Sequence, residues 1–199
     1  MSEQANRPEV FGADDLNELA RGRGWAVLCD ATCSFKSESL SGLHALWRSK
    51  AGRDGIPKRS EMTARLLKPY LKILTLHERV TYPDGSRHYR VRLMGEASAQ
   101  VAGDTLGKFY DEFLPDKSVL LWNAMGDATL GHSAPLRILI RADEVDKSYL
   151  VGETFNAPLL AGAGSASLVL AAGQFDGSLR WEDVVTQWRK QNAQILTVA

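Results

Sequence analysis

The segment GEASAQVAGDTLGKFYDEF, residues 95–113, limits the possible folds more than any other stretch of this chain. It leaves a strand-like run, His88 to Met94, and enters small residues interrupted by Gly103 and Gly107. A parallel βαβ unit needs a long crossover, usually one continuous helix, between its strands. Here the chain offers only short helical pieces.

The flanking patterns extend that constraint. Tyr70 to Val80 is apolar and β-rich, and Pro83-Asp84-Gly85 follows as a turn signal, with Pro presetting φ and Gly supplying a positive φ. Tyr89, Val91 and Leu93 alternate with His88, Arg90 and Arg92, which predicts a β-hairpin over 70–94 with one covered and one wet face. Lys117 to Leu130 reads as a helix. Strand-like runs follow at 136–141, 148–155 and 166–172, with Gly173 punctuating the end of the last. Two strands, a cluster of short helices and three strands predict an α+β fold: a five-stranded antiparallel sheet with short helices on one face.

Ser39 to Lys50 predicts a helix, because Leu40, Leu43, His44 and Trp47 form one stripe, with Ser37 or Ser39 as its cap. Residues 1–37 read as a poorly specified extension, 38–176 as the domain with its leading helix, and 177–199 as a terminal amphipathic helix. In that last helix Trp181, Val184, Val185 and Trp188 share a stripe. It serves as an interface for a partner or a second copy, or it folds back on the sheet.

Chemistry-bearing motifs are sparse. A phosphate-binding loop needs four residues between its glycines, and GDTLGK at 103–108 has one too few. No G-x-S-x-G or H-E-x-x-H is present, and Asp111 and Glu112 are adjacent, so on a helix they diverge instead of forming a dyad. The chain therefore reads as a non-enzyme. Cys29 and Cys33 are too few for a disulfide framework and form a weak zinc signal, so they read as reduced thiols of a cytoplasmic protein. The N-terminal MSEQANRPEV lacks the apolar core of a signal peptide, and no run is apolar over a membrane-spanning length.

Twenty-four basic and 24 acidic residues balance, which argues against a global attraction to nucleic acid or membrane. One local exception is the basic stretch from Arg48 to Lys72, whose only acids are Asp54 and Glu61. It is either a solvated linker and helix face, or a nucleotide or nucleic-acid patch.

The stretch YRVRLMGEASAQVAGDTLGKFYDEF resembles the PAS fold, in which a strand passes through a glycine turn into short helices and an acidic-aromatic element. The wider span 38–176 is similar to a PAS-like family common in alphaproteobacteria. The matching positions are Trp47, Arg48, Pro57, Arg59, Arg90, Arg92, Leu93, Gly95, Gly103, Asp104, Leu106, Gly107, Asp111 and Glu112. The resemblance implies a sensory or regulatory module that holds a small ligand between sheet and helices and acts through protein contacts, commonly as a homodimer. The pocket would then draw on Tyr89, Val91, Leu93, Phe109, Trp122, Met125, Leu136 and Ile138, with His132 at its margin. Flavin–cysteine photochemistry is not expected, because no cysteine follows Cys33. Haem is not expected either, with only His132 just past the middle helix and His88 on the wet side of its strand. The alternative reading is a ligand-free adaptor in the same fold.

Overall fold

A computed structural model describes residues 12–52, 55–142, 147–162 and 166–196. In chain order the elements are α1 (Ala13–Arg23), β1 (Val27–Asp30), α2 (Glu38–Lys50), α3 (Ala64–Leu67), β2 (Leu74–Thr81), β3 (Arg87–Met94), α4 (Glu96–Ala102), α5 (Asp116–His132), β4 (Leu136–Ala142), β5 (Lys147–Leu160), β6 (Ala166–Asp176) and α6 (Trp181–Leu196). The strands form one antiparallel sheet of six, in the order β1-β4-β5-β6-β2-β3. The three later strands and the hairpin stand where their patterns placed them, except that β2 begins at Leu74, after a 3-10 turn at Lys68–Tyr70. No described helix is long and apolar enough to cross a membrane.

The sixth strand corrects the reading of residues 1–37. Residues 1–11 lie outside the described part, but α1 and β1 belong to the core. Leu16 and Ala20 of α1 and Val27 and Cys29 of β1 are buried with Leu136, Ile138 and Ile140 of β4. The edge of β1 is covered by Asn17, whose amide donates to the Cys29 carbonyl at 2.8 Å and accepts from the Cys29 N–H at 2.7 Å. A sheet edge left open invites pairing with another chain, and Asn17 blunts it at this point. Cys29 and Cys33 are buried free thiols, and burial pushes the Cys33 thiol up to about 12.

Helices lie on both faces, not one. Leu40, Leu43 and Trp47 of α2 pack on Leu74 and Leu76 of β2, Phe155 and Leu159 of β5, and Leu168 and Leu170 of β6. Ser37 caps α2 by accepting from the Leu40 N–H, and Trp47 Nε1 donates to the Pro158 carbonyl at 2.9 Å. On the other face α5 covers β4 with Leu121, Ala124, Met125 and Ala128. Gly173 lies inside β6 rather than ending it, because β6 continues to Asp176.

The 95–113 segment closes the outer edge of β3. Gly95 has no room for a side chain, since a Cβ there would sit 2.1 Å from the Leu71 carbonyl oxygen. The chain then returns to pair with β3: the Val91 N–H donates to Lys108 O at 2.9 Å, and the Gly107 N–H donates to Val91 O at 2.8 Å. Gly107 makes that turn with φ of 83°, which glycine adopts without steric cost.

Candidate functional site

A bulge decides which side chains reach the space beneath α5. In the β2–β3 pairing Leu76 faces Leu93 and His77 faces Val91, so Arg92 is the extra residue. Side chains alternate along a strand, and one inserted residue reverses the alternation beyond it. Leu93 therefore packs with the α2 cluster, while Met94 turns to the α5 side. The sequence pattern had put Tyr89, Val91 and Leu93 on one face, and the bulge overturns that for Leu93.

Under α5 the three central strands carry small or uncharged polar residues. These are Thr75 and His77 on β2, Ala171 and Gly173 on β6, and Thr154 and Asn156 on β5. The pairing sets Asn156 opposite Ala171, and Ala171 opposite Thr75, in one row across the sheet. These short side chains leave a partly open cavity of about 110 Å³, lined also by Trp122, Met125 and Gly126 of α5 and by Met94, Tyr110, Ile140 and Phe175. The Gly126 position is occupied by another ring: a Cβ there would lie 2.5 Å from Tyr89.

The polar groups of this wall are mostly tied to one another. Asn156 Nδ2 donates to Thr154 Oγ1 at 2.9 Å, and Thr154 Oγ1 donates to Ile138 O at 3.0 Å. His77 Nε2 lies 2.8 Å from Thr75 Oγ1. Burial lowers the His77 pKa from the ordinary 6.5 to about 4, so the ring is neutral at pH 7. Its Nδ1 and the indole Nε1 of Trp122 are buried without a hydrogen-bond partner. Both rings meet edge to face at 6.4 Å, and Tyr110 stands against each, at 5.6 Å from His77 and 5.7 Å from Trp122.

Behind Tyr110 the network reaches a buried carboxylate. Tyr89 stacks on Tyr110 and donates its hydroxyl to Asp127 Oδ1 at 2.8 Å. Arg79 and Arg87 each approach Asp127 at 4.0 Å. Burial, then the Asp127 charge, holds the Tyr89 and Tyr110 phenols well above their usual range, so both stay protonated donors.

Of the residues singled out from sequence, Trp122 and Met125 line the cavity. Tyr89 and Val91 lie in the neighbouring cluster with Tyr110. Phe109 sits outside, under the Arg90 guanidinium at 5.6 Å. Leu136 and Ile138 pack against α1 and α5. His132 is half-buried at the end of α5, and His88 pairs with Asp111 at 3.3 Å; neither lines the cavity. Sequence reading passed over Thr75, His77, Thr154 and Asn156, because a polar residue alternating with leucine reads as solvent-facing. The available signal was that these polar residues carry no fixed charge.

α6 lies over the opposite face. Val184 is buried against Leu139 and Val151, and Trp181 and Trp188 are partly buried beside Leu28. Val185 is also partly buried. A half-open cleft of about 420 Å³ separates this helix from the sheet and includes Arg137 and Glu153. Within it Arg137 is fully buried, donating to Glu153 at 2.6 Å and to Asp30 at 3.4 Å. In the basic stretch, Arg53 and Asp54 lie outside the described residues. No group of three or more His, Cys, Asp or Glu placed to hold a metal occurs among the described residues.

No family model matches this chain, and no curated protein matches it. Among solved structures it is similar to that of an RNA-binding light-oxygen-voltage receptor, at 15% identity and a TM-score of 0.41, over 68% of this chain and 39% of that one. This chain thus corresponds to less than half of the receptor's length. These comparisons assign the chain to no family, and the likeness to the alphaproteobacterial PAS-like family stays with the motifs quoted above.

Proposed function

We propose that this protein is a PAS-like regulatory module that takes a small molecule into the cavity beneath α5 and passes on its presence by protein contact. The observation that carries this reading is the cavity itself. It sits against the middle of the sheet and has a mostly apolar lining that includes the uncharged polar residues Thr75, Thr154 and Asn156. Ligand sites commonly combine an apolar cleft with a few placed polar groups.

The size bounds the occupant. An apolar void of roughly 150 Å³ admits benzene, and this one is about 110 Å³. Its inner part has room for a single ring. The contact that reports occupancy is assigned to α6, whose apolar stripe is held by few side chains: only Val184 among its described residues is buried. Its partner is a second copy or a regulatory protein.

Native mass spectrometry of the full chain purified from its own cells tests this reading. The expected result is an added mass of a single-ring compound that is lost when Ala171→Leu fills the cavity. A bare chain, with a partner protein that co-purifies equally with the filled variant, would instead support a ligand-free adaptor acting through Trp181 and Trp188.

A further inference from the structure

Phe175 lies over two glycines, and that placement bounds one end of the cavity. This inference rests on the cavity reading proposed above. The register sets Phe175 of β6 opposite Gly152 of β5, and Gly152 opposite Ile140 of β4. Directly opposed residues share one face of a sheet, so the glycine leaves a gap between Phe175 and Ile140 in this row. The Phe175 ring fills it. A Cβ at Gly152 would lie 2.6 Å from the ring's Cε1, and a Cβ at Gly173 would lie 3.0 Å from its Cε2. A glycine inside a strand often marks such a close approach. The ring therefore spans β5 and β6, packed with the cluster that holds Ile138 and Ile140. Phe175, Ile140 and Gly173 all line the cavity.

We infer that Phe175 sets the size of the ligand and selects a single, unfused ring. With its own ring on the two glycines, it ends the cavity along the strands, and the space that remains, about 110 Å³, takes one ring. Positions 152 and 173 carry no side chain, so removing the Phe175 ring lengthens the cavity by about one ring. A flat ligand of two fused rings then fits. A side chain at position 152 acts the opposite way: it lifts the Phe175 ring off β5, toward α5 and into the space that the ligand takes. Phe175 is only half-buried, so replacing it costs less stability than replacing a fully buried ring. A purely structural role, covering two glycines, would not change which ligand size is preferred.

NMR titration of the full chain with benzene and naphthalene tests this. The unmodified chain should bind benzene at least about tenfold tighter than naphthalene. Phe175→Ala should reverse that order. Gly152→Ala should weaken benzene binding by at least about tenfold, and adding Phe175→Ala to it should restore binding. Naphthalene bound by the unmodified chain as tightly as by Phe175→Ala would overturn the role of Phe175 while leaving the cavity reading intact. A loss in Gly152→Ala that Phe175→Ala does not relieve would overturn it in the same way. Benzene failing to bind the unmodified chain would remove the cavity reading and this inference together. Should the variants not fold, the ring protons of Phe175 in the unmodified chain give the answer. They should shift when benzene binds, and unmoved protons with benzene bound would overturn the proposal.

Discussion

The two faces of the central strands differ sharply in what they bury. Toward α2, β2 presents Leu74 and Leu76, β5 presents Phe155 and Leu159, and β6 presents Leu168 and Leu170. Toward α5 the same strands present Thr75 and His77, Thr154 and Asn156, and Ala171 and Gly173. One face is closed by large apolar side chains. The other keeps a void and buries uncharged polar groups. A void forfeits dispersion contacts and an unpaired nitrogen forfeits a hydrogen bond, so the α5 face costs stability wherever it is empty.

Substitutions can break or sharpen this contrast. The largest effect is expected on the α2 face, where Phe155 is fully buried. Phe155→Ala should destabilise the chain by about 3–5 kcal/mol, read from urea unfolding midpoints; a loss under about 1 kcal/mol would show that this face is not the packed one.

Next comes the pH response of His77 on the α5 face. Its folded pKa is about 4 against an ordinary 6.5. Between those values the unfolded chain binds a proton that the folded chain refuses. Stability should therefore fall as pH drops from 6.5 toward 4, by about 3 kcal/mol for this group. His77→Gln should flatten that part of the profile; an unchanged slope would place the titration elsewhere.

A smaller cost is expected where the α5 face is already tight. Gly126→Ala puts a methyl group 2.5 Å from the Tyr89 ring. Overpacking of this kind costs about 1–3 kcal/mol, and it should displace Tyr89 from Asp127, visible as loss of their hydroxyl–carboxylate bond in a structure of the variant. The smallest effect is expected in the cavity itself. Ala171→Val places its added methyl groups in empty space, so the stability change should stay within about 1 kcal/mol and can be favourable, as read by thermal unfolding. A loss of several kcal/mol would mean that the space is not there.

The same contrast explains what could be read from the sequence. The α2 face was legible, because Leu40, Leu43 and Trp47 recur at helical spacing and large apolar residues report burial directly. The hairpin, α5 and the three later strands were legible for the same reason. The α5 face was not. Its polar residues mimic a solvated surface, and its space is made by residues that are absent in volume: Ala171, Gly173 and Gly126. The Arg92 bulge leaves no local mark, since register is set by the pairing partner and not by the strand alone. α1 and β1 were underrated because β1 is short, and Asn17, which secures its edge, looks like an ordinary polar residue on a helix.

Crystals of the full chain pressurised with xenon test the central claim most directly, since xenon enters apolar voids of this size. The account predicts a xenon peak between α5 and the sheet, in contact with Met125, Ala171 and Phe175, that is absent in Ala171→Leu. An unoccupied and collapsed space there, with α5 resting on β6, would contradict it.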